Sequence, residues 1–130
     1  GWLISPLGRT GIFLGSVVTT WGMETKSSNP EIRAEFTFNS PNSKAEYAAF
    51  ERRKDEIEKA LGFPLAWYNP ENKKQSKAYS RLDADFRDKT GWPQQFEWLR
   101  GRLEAMERVL RPMVKALPAE VVARPEGEES

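Results

Sequence analysis

EIRAEFTF, residues 31–38, alternates strictly: Ile32, Ala34, Phe36 and Phe38 fall on one side of an extended chain, and Arg33, Glu35 and Thr37 on the other. A period of two is the pattern of a strand with one face on a core and one toward water, as in an antiparallel sheet. Upstream, GIFLGSVVTTW (11–21) is rich in β-branched and aromatic residues and reads as a second strand. Gly15 marks the expected place for a bulge or a close backbone approach in it. KSSNP (26–30) joins the two strands as a loop.

Downstream, NSPNSK (39–44) supplies capping residues and Pro41 close to a helix start. The expected helix runs from about residue 42 to Leu61, with Gly62 as its left-handed stop and Pro64 just beyond. Phe50, Ile57 and Leu61, with Tyr47 and Ala49 nearby, form its inward stripe. The charge run RRKDEIEK (52–59) then turns Glu51, Arg52, Asp55, Glu58 and Lys59 toward water. Glu51–Lys54 and Asp55–Lys59 are favourable helical spacings worth roughly 0.2–0.5 kcal/mol each. That run is read as a solvated face and not as a site.

FPLAWY (63–68) and AYSRL (78–82) read as two further strands, joined by the polar loop NPENKKQSK into a hairpin with a basic tip. From Trp92 the period changes. Trp92, Phe96, Leu99, Leu103, Met106, Leu110, Met113 and Leu117 recur at spacings of 4 and 3, which predicts one long amphipathic helix that brings Phe96, Leu99, Leu103 and Met106 into the core. Pro93 sits in its first turn, Thr90 is the expected cap, and Pro112 is expected to kink or end it near Arg111. Trp98, Ala105 and Val109 make a second stripe for packing against a flanking element. The sum is an α+β fold, with an antiparallel sheet of about four strands in β-β-α-β-β-α order and two helices packed on one face.

The chain has 130 residues, enough for one domain, assigned here to residues 1–117. Net charge is +1, but residues 1–117 hold 19 basic and 15 acidic groups, whereas 118–130 hold 1 and 4. The second segment reads as an acidic, disordered tail. With neither cysteine nor histidine, disulfides, thiolate nucleophiles, zinc–thiolate sites and the usual neutral-pH base are all excluded. No apolar run reaches the length of a membrane span, so a soluble cytoplasmic protein is expected.

The remaining motifs are weak. Glu24-Thr25-Lys26 matches the acidic-x-lysine half of a nuclease site, yet no Asp or Glu precedes it to share a metal ion. Asp83, Asp85 and Asp88 crowd together without the glycine and terminal glutamate of a calcium loop, and read as an exposed turn. Ser5, Ser16 and Ser80 lack a nucleophile-elbow context, and the glycines of LGRTGIFLG precede a strand rather than a helix. The sequence therefore nominates no catalytic residue, no metal ligands and no cofactor. Its one candidate surface is the basic hairpin. Lys73, Lys74, Lys77 and Arg81 are placed to meet phosphates there, and Tyr68 and Tyr79 to stack on bases.

EIRAEFTF, ERRKDEIEKALGFPLAW, SRL and GWPQQFEWLRGRLEAMERVLRPMVKAL, taken in order and spacing, resemble the bacterial and archaeal domain-of-unknown-function family 4268 over roughly residues 2–117. The resemblance implies a domain often found C-terminal to other regions, some of them restriction-nuclease-like, and associated with DNA restriction and phage defence. It brings no agreed catalytic residues. The function expected is a non-catalytic accessory or recognition domain of a DNA-processing system, with DNA or a DNA-processing protein as partner. A protein-interaction module, including one that forms a homo-oligomer, is the alternative. A cryptic carboxylate- and metal-dependent enzyme comes third.

Overall fold

A computed structural model of the chain describes residues 4–22 and 29–119. In chain order the elements are β1 (Ile4–Arg9), β2 (Ile12–Thr19), β3 (Glu31–Phe38), α1 (Ser43–Glu51), α2 (Lys54–Leu61), β4 (Ala66–Tyr68), β5 (Ser76–Asp83) and α3 (Trp92–Lys115). The strands form one antiparallel sheet in the order β1-β2-β3-β5-β4. β3 lies at its centre, paired along its full length with β2 on one side and β5 on the other. α3 crosses β1, β2 and β3, while α1 covers β3 and β5.

Ile32, Ala34, Phe36 and Phe38 of β3 face these helices and are fully buried. An aromatic cluster fills the space above them. The Phe36 and Phe38 rings are 4.5 Å apart, Phe50 meets Phe36 edge-on at 5.1 Å, and Tyr47 meets Phe38 edge-on at 5.8 Å. Leu99, Met106, Leu110 and Val114 close the core from α3.

The sheet has five strands where about four were expected. The extra one is β1, whose ISPLGR sequence hides its extended character behind a proline and a glycine. Pro6 is tolerated because β1 is an edge strand, where the missing N–H leaves no ladder bond unmade. The irregularity expected at Gly15 falls instead in β1, where the register shifts between Pro6 and Arg9. The β2–β3 ladder passes Gly15 unbroken from Ile12↔Phe38 to Thr19↔Glu31. Gly11, at φ +84°, closes the β1–β2 turn against the chain leaving β3: a Cβ there would lie 2.7 Å from the Ser40 Cβ. The Gly11 carbonyl accepts the Asn39 N–H at 2.7 Å.

The single helix expected from residue 42 to Leu61 is two helices. The ladder breaks at Arg52 and Arg53, with the Arg53 N–H turning back to the Phe50 carbonyl at 2.9 Å. The break re-aims the chain, so that α1 lies on the sheet while α2 packs on α3. The charge run is exposed as expected, but its ion pair is Arg53–Glu56 at 2.7 Å. Glu58, expected to face water, accepts the Leu65 N–H at 2.9 Å and the Trp67 Nε1–H at 3.1 Å, holding β4 to α2. Gly62 does terminate α2, at φ 87°.

α3 continues through Pro112 to Lys115. The proline removes one hydrogen bond on an exposed turn, while buried Leu110 and Val114 on either side keep the helix on the sheet. At the other end, a turn at Lys89–Gly91 capped by Asp88 leads into the helix, whose own N-cap is Gly91 with no side-chain cap, so Thr90 does not cap it as expected. Trp92 and Phe96 do not join the core. They stand 37 % and 47 % exposed, because the sheet ends beneath this first part of the helix.

Leu110→Ala should therefore lower the unfolding free energy by about 2–5 kcal/mol in a urea melt. Phe96→Ala should stay near the ~0.5 kcal/mol typical of exposed positions; equal losses at the two sites would show that α3 is rotated on the sheet.

Candidate functional site

The side chains of β3 that point away from the helices were expected to face water. Glu31, Arg33, Glu35 and Thr37 are instead all buried, Glu31 completely. Burying charge at this depth requires partners, and the neighbouring strand supplies them. The antiparallel register sets Arg81 opposite Arg33, Tyr79 opposite Glu35 and Lys77 opposite Thr37.

Glu31 accepts from Arg33 Nη1 at 2.5 Å and from Arg81 Nε at 2.9 Å; Glu35 accepts from Arg33 Nε at 2.7 Å and from Lys77 Nζ at 3.1 Å. Arg81 also donates through Nη2 to Asp83. The result is a chain of six side chains of alternating charge, Asp83–Arg81–Glu31–Arg33–Glu35–Lys77, with no net charge. Burial presses the Arg33 guanidinium toward its neutral form, but the hydrogen bonds it donates to Glu35 and Glu31, with their negative charge, outweigh it and hold the group above its usual range. The Tyr79 ring lies 6.0 Å from the Arg33 guanidinium carbon.

Four of the six residues nominated by sequence, Tyr68, Lys77, Tyr79 and Arg81, share this face, Tyr68 standing opposite Lys77 on β4. Lys77 and Arg81 are tied into the charge chain, and Tyr79 is buried. Tyr68 is half-buried. Lys73 and Lys74 stand apart, exposed in the β4–β5 loop.

That loop is firmly held from below. Lys44 Nζ donates to Asn69 Oδ1 at 2.8 Å, to the Pro70 carbonyl at 2.7 Å and to Ser76 Oγ at 2.9 Å, and Ser43 Oγ donates to the Lys74 carbonyl. Sequence reading missed Lys44 and Ser43, because nothing local distinguishes them from ordinary residues of a helix start.

The acidic cluster resolves into separate roles. Asp83 pairs with Arg81 and Asp85 with Arg87, while Asp88 caps the turn through Thr90. Among the described residues no group of acidic side chains is placed to hold a metal ion. Glu24-Thr25-Lys26 lies outside the described residues, as does nearly all of the acidic tail. No described helix is long and apolar enough to cross a membrane.

Two clefts were not foreseen. The first, about 140 Å³, lies at the N-terminal end of α3 between Val18, Ile32, Phe86, Leu99 and the exposed Trp92–Phe96 pair. Trp92 Nε1 donates to the Phe86 carbonyl at 2.5 Å, and its ring centroid is 6.0 Å from that of Phe96, which fixes the two rings at the rim. The second, about 350 Å³, opens where β4 parts from β5 and is bordered by Arg102. The Arg102 guanidinium carbon lies 3.9 Å from the Phe63 ring centroid and 5.3 Å from that of Trp98. Desolvation lowers its pKa. The i, i+4 spacing of Trp98 and Arg102 was the one sequence signal of this contact.

The family model described as Domain of unknown function (DUF4268) matches residues 2–114, and the chain belongs to that family. No curated protein and no solved structure matches the chain.

Removing one member of a buried charge chain strands the others, so Glu31→Ala should destabilise the domain by about 3–5 kcal/mol. Lys73→Ala, at the exposed tip, should stay within about 0.5 kcal/mol. Chemical denaturation of the two variants compares them directly.

Proposed function

We propose that this domain is a non-catalytic recognition module that joins a larger DNA-processing assembly by docking a protein partner at the Trp92–Phe96 surface. The observation that carries the reading is the pairing of two exposed, mutually fixed aromatic rings with an apolar cleft of about 140 Å³. A cavity of that size takes one benzene-sized group, and tryptophan anchors beside a pocket are the usual centres of binding energy at interfaces. The charged groups of the sheet face away from the helices are engaged with one another, acid to base. The DNA-processing setting rests on the family resemblance, and a cytoplasmic location belongs to the same proposal.

Direct nucleic-acid contact is the second reading, favoured by the rigid loop that presents Lys73 and Lys74. Two phosphate contacts would give weak binding, with log K falling against log salt at a slope of about −1.8 on duplex DNA.

A random peptide library selected on the unmodified domain, with the Phe96→Asp variant as counter-selection, tests the first reading. The expected peptides carry an aromatic or aliphatic anchor and lose at least about tenfold in affinity on the variant, as loss of an anchor in such a pocket does. If no selected peptide distinguishes the two proteins, the docking surface is elsewhere. Low-salt titration of a labelled oligonucleotide, which binds the unmodified domain but not K73E/K74E, would move the assignment to the second reading.

A further inference from the structure

The cleft beside Arg102 exists because β4 is short. It pairs with β5 only through Ala66–Tyr79, Trp67–Ala78 and Tyr68–Lys77, whereas β3 pairs with β5 from Ser76 to Asp83. Continuing the β4 register would place Pro64 opposite Arg81, and a proline has no N–H to give. The chain departs there, and among the described residues Ser80–Asp83 has a strand neighbour on one side only.

The polarity of the open edge follows from the ladder. Ala84 N–H donates to the Pro30 carbonyl at 3.3 Å, on the β3 side. Main-chain groups of an antiparallel strand alternate between its two neighbours. Ser80 and Leu82 therefore address β3, and Arg81 and Asp83 turn their N–H and C=O groups into the open edge.

The charge beside this edge is unbalanced. Arg33 and Arg81 each hold two carboxylates. Arg102 has only the rings of Phe63 and Trp98, with no carboxylate or hydrogen-bond partner among the described residues. Stacking covers the flat faces of a guanidinium and leaves its in-plane N–H fork free, the geometry that takes a carboxylate through two bonds.

We propose that this cleft receives an extended acidic segment of a partner protein, which adds to the free edge of β5 at Arg81 and Asp83 and closes a carboxylate on Arg102. Strand addition supplies main-chain bonds, and the arginine selects the side chain. The site goes beyond the Trp92–Phe96 docking reading and shares no residue with it, so either stands if the other fails.

The probe is an acetylated, amidated five-residue peptide of alternating valine and glutamate. Its glutamine counterpart and free glutarate serve as comparisons, each titrated into the isotope-labelled domain and followed by NMR. In the free domain the Arg81 and Asp83 amides should exchange rapidly with solvent. The glutamate peptide should shift and protect both amides and move the Arg102 side-chain resonance, binding about tenfold more tightly than the glutamine peptide, the low end for a charge-assisted hydrogen bond.

R102Q should make the two peptides equivalent while the spectrum stays dispersed. R102K, which keeps the charge without the planar fork, should retain part of the preference. Protection of the Arg81 and Asp83 amides in the free domain would overturn the proposal, and so would equal affinity for the two peptides. Binding of glutarate as tight as that of the peptide would also overturn it, by showing a site for small anions and not for a strand.

Discussion

Strand β3 is buried on both faces, and the sheet is built around that constraint. Its even residues are apolar and meet the helices. Three of its four odd residues, Glu31, Arg33 and Glu35, are charged and lie in a place that would be prohibitive for isolated ions. The register with β5 resolves the conflict by laying basic side chains beside acidic ones, so that every buried carboxylate of the row accepts from two cations. A shift of pairing by one residue would move the charged row into the aromatic core. The charge chain therefore helps to specify the register together with the hydrophobic face, by tying particular residues of the two strands to one another.

This arrangement also sorts the cations of the domain. Lys77 and Arg81 belong to the interior electrostatics of the sheet and offer little to an outside ligand. Lys73 and Lys74 are held out on a loop pinned by Lys44, and Arg102 waits beside an open strand edge on two aromatic rings. Positive charge that looks continuous along residues 73–81 in the sequence is thus split into a structural part and an accessible part. Among the described residues, the accessible part is Lys73 and Lys74 on their loop and Arg102 beside the strand edge.

Much of the fold was legible because period and punctuation are local. The alternation of EIRAEFTF, the Gly62 stop and the long 3-4 spacing from Trp92 each report their element directly. β1 was not legible, since an edge strand tolerates the proline and glycine that mask it. Nor was the break at Arg52 and Arg53, whose cause is the differing direction of the two surfaces that α1 and α2 must cover. Phe96 carried the right period for the core but lies where the sheet has ended. At the site, Lys73 and Lys74 stand apart, while the other four of the six nominated hairpin residues, Tyr68, Lys77, Tyr79 and Arg81, share one face. What they do there depends on cross-strand partners 42 and 50 residues away in sequence, which no local pattern reveals.

The first strand and the last helix are also bound together. The Arg9 guanidinium reaches the Pro118 and Ala119 carbonyls at 2.6 and 3.1 Å, and Arg111 Nη2 donates to the Pro6 carbonyl at 3.0 Å. During synthesis, the hairpin of β1 and β2 leaves the ribosome long before the segment that shields Leu7, Ile12 and Leu14. The helix that packs on this hairpin, α3, begins only at Trp92, 73 residues after β2 ends at Thr19. Such a topology favours late, all-or-none closure over stepwise growth, because the contacts that complete the core join the two ends of the described chain.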